Sequence, residues 1–200
     1  MHSRTARGNL TCTMALIVLL TSCKNEGKKI EAKFSDGTPS VVIEYQVAND
    51  TSNYIIKSFY RSGNLRQTAK IVDGKFIGPA ITYYPNGKIS EIDSLDNTRT
   101  MSRYDWDGIA TRFYENGKIA ERFVIKNANR NGLSQHYSPK GILVKEYSIT
   151  NDSIKNGVYK EFHPNGKVSI MDTYKNDTLV GFEYIFNENG DTLRYNQKMA

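Results

Sequence analysis

Side chains that could carry out chemistry are few in this chain, and they lie far apart. The 200 residues include two cysteines, Cys12 and Cys23, and three histidines. Zinc sites use closely spaced Cys and His ligands, and no Cys or His pair has that spacing here. His136 and His163 each neighbour an aromatic residue in a strand-like stretch, where a surface position is expected. The sequence therefore predicts no metal site and no cofactor.

Carboxylates are the remaining candidates for acid–base chemistry. Glu91 and Glu121 each follow a recurring glycine by four residues, but Lys145 and Ile170 take that place in the next copies. General acid–base catalysis needs groups held within hydrogen-bonding reach, which a sequence pattern does not establish. The Asn-Gly-Lys stretches open strands rather than helices, so they lack the setting of a phosphate-binding loop. We therefore predict that no residue is catalytic and that the protein is not an enzyme.

The N-terminus has the composition of an export signal. Arg4 and Arg7 precede an apolar run from Met14 to Leu20, which is far shorter than the ~20 residues of a transmembrane helix. A positive segment, a short apolar run and then small residues are typical of a cleaved signal. Leu20-Thr21-Ser22-Cys23 resembles the bacterial lipobox, which implies cleavage before Cys23 and attachment of lipid to it. The alternative is a plain secretory signal in which this cysteine occurs by chance.

Charge and cysteine content narrow the possible partners. After cleavage Cys23 would be the one remaining cysteine, so the exported chain needs no disulfide and has no free thiol. The formal net charge of +6 includes Arg4 and Arg7, which leave with the signal, and no block of like charge stands out. This balance, together with export, disfavours nucleic acid as a partner. A membrane lipid and an unidentified protein or envelope component remain.

Most of the chain is a series of repeats marked by glycines. Six glycines recur at spacings of 24, 30, 24, 25 and 24 residues, and a weaker copy precedes them at Asp36-Gly37. These turn glycines are Gly63, Gly87, Gly117, Gly141, Gly166 and Gly190. An aromatic residue lies four positions before each, and we call these residues the aromatic ladder: Phe59, Tyr83, Phe113, Tyr137, Phe162 and Phe186. A second glycine lies nine positions before five of the turn glycines, at Gly78, Gly108, Gly132, Gly157 and Gly181.

Each repeat has the pattern of a β-hairpin. Steps such as Asn86-Gly87 favour a two-residue turn, because both residues accept positive φ at low cost. The second glycine of each repeat indicates another turn at the opposite end. Apolar residues alternate between the turns, and even offsets from the turn glycine share one strand face. We therefore expect the aromatic ladder to form the core, odd offsets to form a solvated face, and the fold to be all-β.

The repeated unit Tyr/Phe-x-x-Asn-Gly-Lys, followed by an aliphatic residue, is similar to the variant MORN repeat of bacteria. Copies extend from about Asn53 to the C-terminus and depart from the pattern at Gly63, Gly141 and Gly190. The resemblance implies an elongated, twisted antiparallel β-meander of about six hairpins, each of about 24 residues. Proteins with these repeats are often described as antitoxin components of the YwqK-like type, which implies a toxin as an alternative partner.

The long step between Gly87 and Gly117 marks an insertion of about six residues relative to the neighbouring repeats. The inserted region contains Arg103, Tyr104 and Trp106, the sole tryptophan. Tryptophan and arginine are enriched where binding energy concentrates, so these residues are the candidate binding site. The alternative is a loop that covers the aromatic ladder.

These observations predict three segments: a signal peptide at 1–22, a lipidated N-terminus and linker at 23–38, and a repeat domain at 39–200. The predicted protein is a non-enzymatic lipoprotein anchored in the cell envelope, at the outer membrane. Its repeat sheet is expected to bind a protein or an envelope component. The alternative is an immunity-like protein that neutralises a toxin.

Overall fold

A computed structural model describes residues 27–47, 50–95, 107–150 and 154–198. Cys23 and the insertion residues Arg103, Tyr104 and Trp106 lie outside these ranges. No helix of the described part is long and apolar enough to cross a membrane. The described chain forms sixteen β-strands. They are β1 (Lys28–Lys33), β2 (Pro39–Tyr45), β3 (Asn53–Phe59), β4 (Leu65–Val72), β5 (Lys75–Tyr83), β6 (Ile89–Leu95), β7 (Gly108–Phe113), β8 (Ile119–Lys126), β9 (Asn129–Tyr137), β10 (Leu143–Thr150), β11 (Ile154–Lys155), β12 (Gly157–Phe162), β13 (Val168–Lys175), β14 (Thr178–Leu179), β15 (Gly181–Phe186) and β16 (Thr192–Lys198).

All strands belong to one open antiparallel sheet in which neighbours in sequence are neighbours in space. The short strands β11 and β14 pair with β10 and β13, which also pair with β12 and β15. The prediction of an all-β meander of serial hairpins is therefore confirmed. Within the described residues the sheet starts with β1, which pairs with β2 and lies inside the segment 23–38 that the sequence assigned to a linker.

The turn glycines lie in three-residue turns rather than two-residue turns. The Gly87 N–H donates to the Tyr84 carbonyl (2.9 Å), and the Tyr84 N–H donates to the Lys88 carbonyl (2.7 Å). Gly87 has a φ of 83°, whereas Asn86 is not among the residues with positive φ. This is a type I turn closed by one left-handed residue, so the prediction of a two-residue turn at Asn-Gly is wrong. The same two bonds recur at Gly37, Gly63, Gly117, Gly141, Gly166 and Gly190.

The two-residue turns lie at the opposite rim of the sheet. Asp73-Gly74, Asn127-Ala128 and Asn176-Asp177 have positive φ at both positions, as the hairpin turn of type I′ requires. Gly78, Gly132 and Gly181 follow these turns, and the second glycine of each repeat lies within or at the start of a strand, as Gly132 does in β9. The prediction that these glycines are turns is therefore wrong.

Burial in this single sheet is one-sided. A row of directly opposite residues crosses the central strands through Asp93, Ala110, Phe123, Ser134 and Tyr147. All of the most buried side chains of the described chain lie in this row, its extensions, or two residues away on the same strand face. They are Ala69, Ile71, Ala80, Ala110, Glu121, Phe123, Ser134, Ile149, Tyr159 and Asp172. The described residues form one sheet with no second layer, so side chains of this inner face are covered by their neighbours on the same face, as Arg112 and Arg130 cover Phe123.

The opposite, outer face carries the aromatic ladder, whose six rings are half-buried. Ile109, Leu133, Val158 and Phe182 also lie on it and are 36–46% exposed. The expectation that this face forms the core is wrong. A β-bulge after the turn also changes the pattern on the second arm: Phe113 pairs with Ile119, but Arg112 pairs with Glu121. The extra residue reverses which offsets face inward on the second arm.

Candidate functional site

Where the turn motif has its tyrosine, or a histidine in that position, a side chain connects one repeat to the next. The Tyr114 hydroxyl donates to the carbonyl of Tyr137, 2.7 Å away in the following repeat. His163 takes the same position two repeats later, and its Nε2 donates to the Phe186 carbonyl (2.9 Å). A carbonyl accepts hydrogen bonds only, so this contact places the proton on Nε2. The equivalent tyrosine bonds join Tyr60 to Tyr83 and Tyr84 to Phe113.

The Asn and Lys of the motif reach the next turn as well. Asn116 Nδ2 donates to the Pro139 carbonyl (2.8 Å), and Lys118 Nζ donates to the Lys140 carbonyl (2.6 Å). Asn116 Oδ1 also accepts from the Lys118 N–H within its own turn (3.0 Å). We call these tyrosine, asparagine and lysine bonds the inter-turn clamp. They account for the motif residues as structural elements of the sheet.

A charged cluster occupies the inner face on β6 to β9. Glu121 is 9% exposed and accepts from Arg112 Nη1 (3.1 Å) and Arg130 Nη1 (2.5 Å). Arg112 Nε also donates to Glu91 Oε1 (3.1 Å). Both guanidinium groups lie over the ring of Phe123, with Cζ 3.9 Å from its centroid for Arg130 and 5.0 Å for Arg112. The structure thus joins Glu91 and Glu121, the two carboxylates singled out in the sequence, through one arginine.

A row of rings continues the inner face from β9 to β13. His136 stacks on Tyr147 at 5.5 Å between centroids, and Tyr147 stacks on Tyr159 at 5.8 Å. Tyr174 meets Tyr159 edge-on at 6.0 Å. His136 Nε2 also lies 3.1 Å from the Tyr147 hydroxyl. Because the rings cover one another's faces, a ligand bound at this row would contact the edges of the rings and their hydroxyl groups.

Electrostatics at the row follow from burial and from the charges around it. Burial lowers the pKa of His136; Glu121, 3.6 Å from its Nε2, opposes this shift, whereas Lys145 and Arg130 add to it. The imidazole is therefore neutral at neutral pH. Burial also raises the pKa of Tyr159, so the phenol remains a hydrogen-bond donor.

The polar partners of the row lie on the neighbouring strands. The Tyr159 hydroxyl donates to Glu161 Oε1 (2.5 Å), and Lys145 Nζ lies 3.7 Å from the same oxygen. Lys145 and Glu161 are directly opposite each other on β10 and β12. Their side chains are 40% and 36% exposed. Both can therefore contact a ligand without any movement of the backbone.

Two shallow cavities lie along the inner face. One of about 340 Å³ is lined by Glu91, Asp93, Arg112, Phe123 and Arg130 among others. The second, of about 310 Å³, is lined by His136, Lys145, Tyr147 and Tyr159 among others. Ser134 lies between the two clusters, opposite both Phe123 and Tyr147. Its side chain is fully buried and its Oγ has no hydrogen-bond partner among the described residues.

This arrangement suits binding through hydrogen bonds and charge. In the described ranges, no group of three or more His, Cys, Asp or Glu residues could hold a metal ion. The sequence did not single out Arg112, Arg130, Tyr147 or Tyr159. Finding them requires the cross-strand register, because the bulge after each turn decides which residues of neighbouring strands lie opposite each other.

The fold and its inter-turn bonds define a β-repeat protein in which each hairpin packs against its neighbours in sequence. The MORN repeat variant matches residues 77–97, 106–127 and 155–176. The later two spans contain the whole hairpins β7–β8 and β12–β13. The chain therefore contains variant MORN repeats. No curated protein matches the sequence.

Proposed function

We propose that the protein is a non-enzymatic envelope lipoprotein, anchored at the outer membrane by lipid on Cys23, whose MORN repeats bind a protein or envelope component. The repeat sheet is the scaffold, and its inner face is the binding surface. The observation that carries the proposal is the continuous strip of charged and aromatic side chains across β6 to β13. Structural needs alone are met by apolar residues, whereas this strip presents Lys145, Glu161 and Arg112 beside two cavities.

Photo-crosslinking in intact cells tests the binding surface. Adjacent strand residues point to opposite faces, so Glu161 and Lys160 on β12 are a matched pair, with Glu161 on the inner face. A photoreactive residue at position 161 is expected to yield a discrete adduct that the same residue at position 160 does not. Equal labelling at both positions, or adducts at position 160 alone, would reject the inner face. A third probe at position 106 tests the insertion as the alternative site.

Membrane fractionation tests the anchor. Cys23→Ala is expected either to release the protein from the membrane fraction or to leave it unprocessed, with the signal attached. Cys12→Ala lies within the proposed signal and is the control, since it is expected to change neither processing nor membrane association. Processed Cys23→Ala protein that still pellets with membranes would show that lipid on Cys23 is not the anchor.

A further inference from the structure

One ion pair on the inner face is open, and we call it the open pair. Lys145 on β10 and Glu161 on β12 are directly opposite each other, yet Lys145 Nζ lies 3.7 Å from Glu161 Oε1, which is too far for a hydrogen bond. At the equivalent place between β6 and β7 the ion pair is closed, because Arg112 Nε donates to Glu91 Oε1 (3.1 Å). The open pair therefore keeps its capacity to bind another charged group.

Both members of the open pair have atoms without a hydrogen-bond partner in the described part of the chain. Lys145 Nζ donates no hydrogen bond there, and Glu161 accepts one, at Oε1, from the Tyr159 hydroxyl. A lysine ammonium group has three donors, and a carboxylate has two acceptor oxygens. Lys145 can thus donate to a negative group while Glu161 Oε2 accepts from a positive one.

Tyr159 holds the two charges in place. Lys145 Nζ lies 5.6 Å from the centroid of its ring, a distance at which a cation is attracted to the face of an aromatic ring. The Tyr159 hydroxyl donates to Glu161 Oε1 (2.5 Å), and Tyr159 itself is buried. Because one buried side chain contacts both charged groups, the open pair is ordered before a ligand arrives. Such preorganisation lowers the entropic cost of binding.

The cavity beside the open pair suits a small ligand that carries both signs of charge. Its volume is about 310 Å³, and Ala120, Val144 and His136 are among the residues that line it. Burial lowers the pKa of His136, so Lys145 is the one cation among the described residues of the lining at neutral pH. An anion alone would also lie close to Glu161, and a cation alone would lie close to Lys145. Neither sign by itself is therefore favoured.

We propose that the open pair binds the head group of an α-amino acid, with Lys145 Nζ donating to its carboxylate and Glu161 Oε2 accepting from its ammonium group. One carbon atom separates the two charged groups of such a ligand, so they lie roughly 3 Å apart, close to the spacing of the open pair. The carbon chain of the ligand then contacts Ala120 and Val144. The inference rests on the proposed function, in which the inner face is the binding surface.

Three related small molecules test the class of ligand. Diaminopimelate has an amino-acid head group at each end, whereas pimelate has only the carboxylates and cadaverine only the ammonium groups. In titration calorimetry with the purified full chain in detergent, diaminopimelate is expected to bind at least about tenfold more tightly than either of the others. Equal binding of pimelate or cadaverine, or no binding of diaminopimelate, would overturn the proposal.

The source of the head group is tested with a tripeptide that ends in diaminopimelate and leaves one head group free. Tighter binding of the tripeptide than of diaminopimelate would assign the head group to a peptide of the cell envelope. Weaker binding would assign it to a free amino acid. Both results support the head-group site, because the carboxylate and ammonium groups that contact Lys145 and Glu161 are the same in the two ligands.

Matched residues on the two faces of the same strands locate the site. Lys145→Met and Glu161→Gln are each expected to weaken diaminopimelate binding about tenfold or more, because each removes a charge-assisted hydrogen bond. Glu146 and Lys160 are also directly opposite each other on β10 and β12, but they lie on the outer face. Glu146→Gln and Lys160→Met should therefore leave binding unchanged, and thermal melting verifies that all four variants are folded. Equal losses on both faces, or no loss on the inner face, would overturn the proposal.

This inference and the proposed function fail separately. Photo-crosslinked adducts at position 161, without preferential binding of diaminopimelate, would keep the inner face as the binding surface and reject the amino-acid head group. Diaminopimelate binding that depends on Lys145 and Glu161, without an adduct at position 161, would support the head-group site. It would also show that the inner face binds a small molecule rather than a protein.

Discussion

The phenolic hydroxyl of Tyr114 donates to the backbone carbonyl of Tyr137, 2.7 Å away, and joins two consecutive turns of the sheet. The contact spans 23 residues of sequence. It recurs with the same geometry between other turns, with His163 in place of tyrosine once. In a repeat protein the stability of each unit depends on its interfaces with its neighbours. The clamp is one such interface, built from the residues that make the motif recognisable.

Tyr114→Phe is expected to lower the free energy of unfolding by about 1 kcal/mol, because the Tyr137 carbonyl loses its donor and the ring is kept. Urea denaturation followed by circular dichroism measures the change. Tyr137→Phe is the control: its hydroxyl donates to the side chain of Gln135 (3.2 Å), which can turn to another partner. A loss for Tyr137→Phe as large as that for Tyr114→Phe would show that the inter-turn bond contributes nothing special.

Ala128→Gly is expected to stabilise the protein by about 0.5–1 kcal/mol. Ala128 has a φ of 62° in the Asn127-Ala128 turn, a left-handed conformation that is costly for a residue with a Cβ atom. The change creates the Asn-Gly pair that a type I′ turn prefers. Thermal melting measures it. Ala110→Gly, at a fully buried strand position, is the opposing control and should destabilise; a lower melting temperature for Ala128→Gly would contradict the turn assignment.

The inner face is expected to carry the larger share of packing energy. Phe123 is 5% exposed and packs beneath two guanidinium groups, so Phe123→Ala should cost about 3–5 kcal/mol. Phe113, of the aromatic ladder, is half-buried on the outer face, and Phe113→Ala should cost clearly less. Chemical denaturation of both variants compares them directly. Equal losses, or a greater loss at Phe113, would place the core on the outer face.

Repeat length, turn glycines and hairpin order could be predicted from the sequence because they depend on local residue choice. The left-handed position at Gly87 needs a residue without a Cβ atom, and that requirement is visible in every copy. The choice between two-residue and three-residue turns was not visible, since Asn-Gly is compatible with both. The sequence therefore placed the two-residue turn at the turn glycines, whereas the two-residue turns lie at the opposite rim of the sheet.

The inner face could not be predicted because its partners come from different strands. Arg112 and Glu121 are nine residues apart in sequence and meet only because a bulge shifts the register after Arg112. Ala110 and Ser134 appear unremarkable as residue types, yet they lie fully buried in the central row. An alternating pattern indicates which residues share a face of one strand. It does not indicate which of the two faces of a single sheet buries its side chains.

Glu121→Gln tests the charged cluster. Glu121 is the shared acceptor of Arg112 and Arg130, and its side chain is 11% exposed. Glutamine keeps one acceptor oxygen but removes the negative charge that the two partly buried cations share. The expected cost is about 1–3 kcal/mol, reduced from that of a fully buried pair because the arginines reach solvent. Glu91→Gln, which removes one contact, should cost less. A double-mutant cycle with Arg130→Met measures the coupling, and a coupling of zero would contradict the cluster.

The pH dependence of stability tests the environment of His136. Burial lowers its pKa below the ordinary value of 6.5 in the folded chain, so the unfolded chain binds the proton more readily. The free energy of unfolding should therefore be highest above pH 6.5 and fall as the pH drops through that value, until the folded histidine is protonated as well. His136→Gln should remove this component of the slope, whereas Tyr147→Phe, which keeps the stacked ring, should retain it. Melting temperatures at a series of pH values from about 8 to about 5 measure the effect. Identical slopes for His136→Gln and the unsubstituted chain would show that His136 titrates alike in the folded and unfolded states.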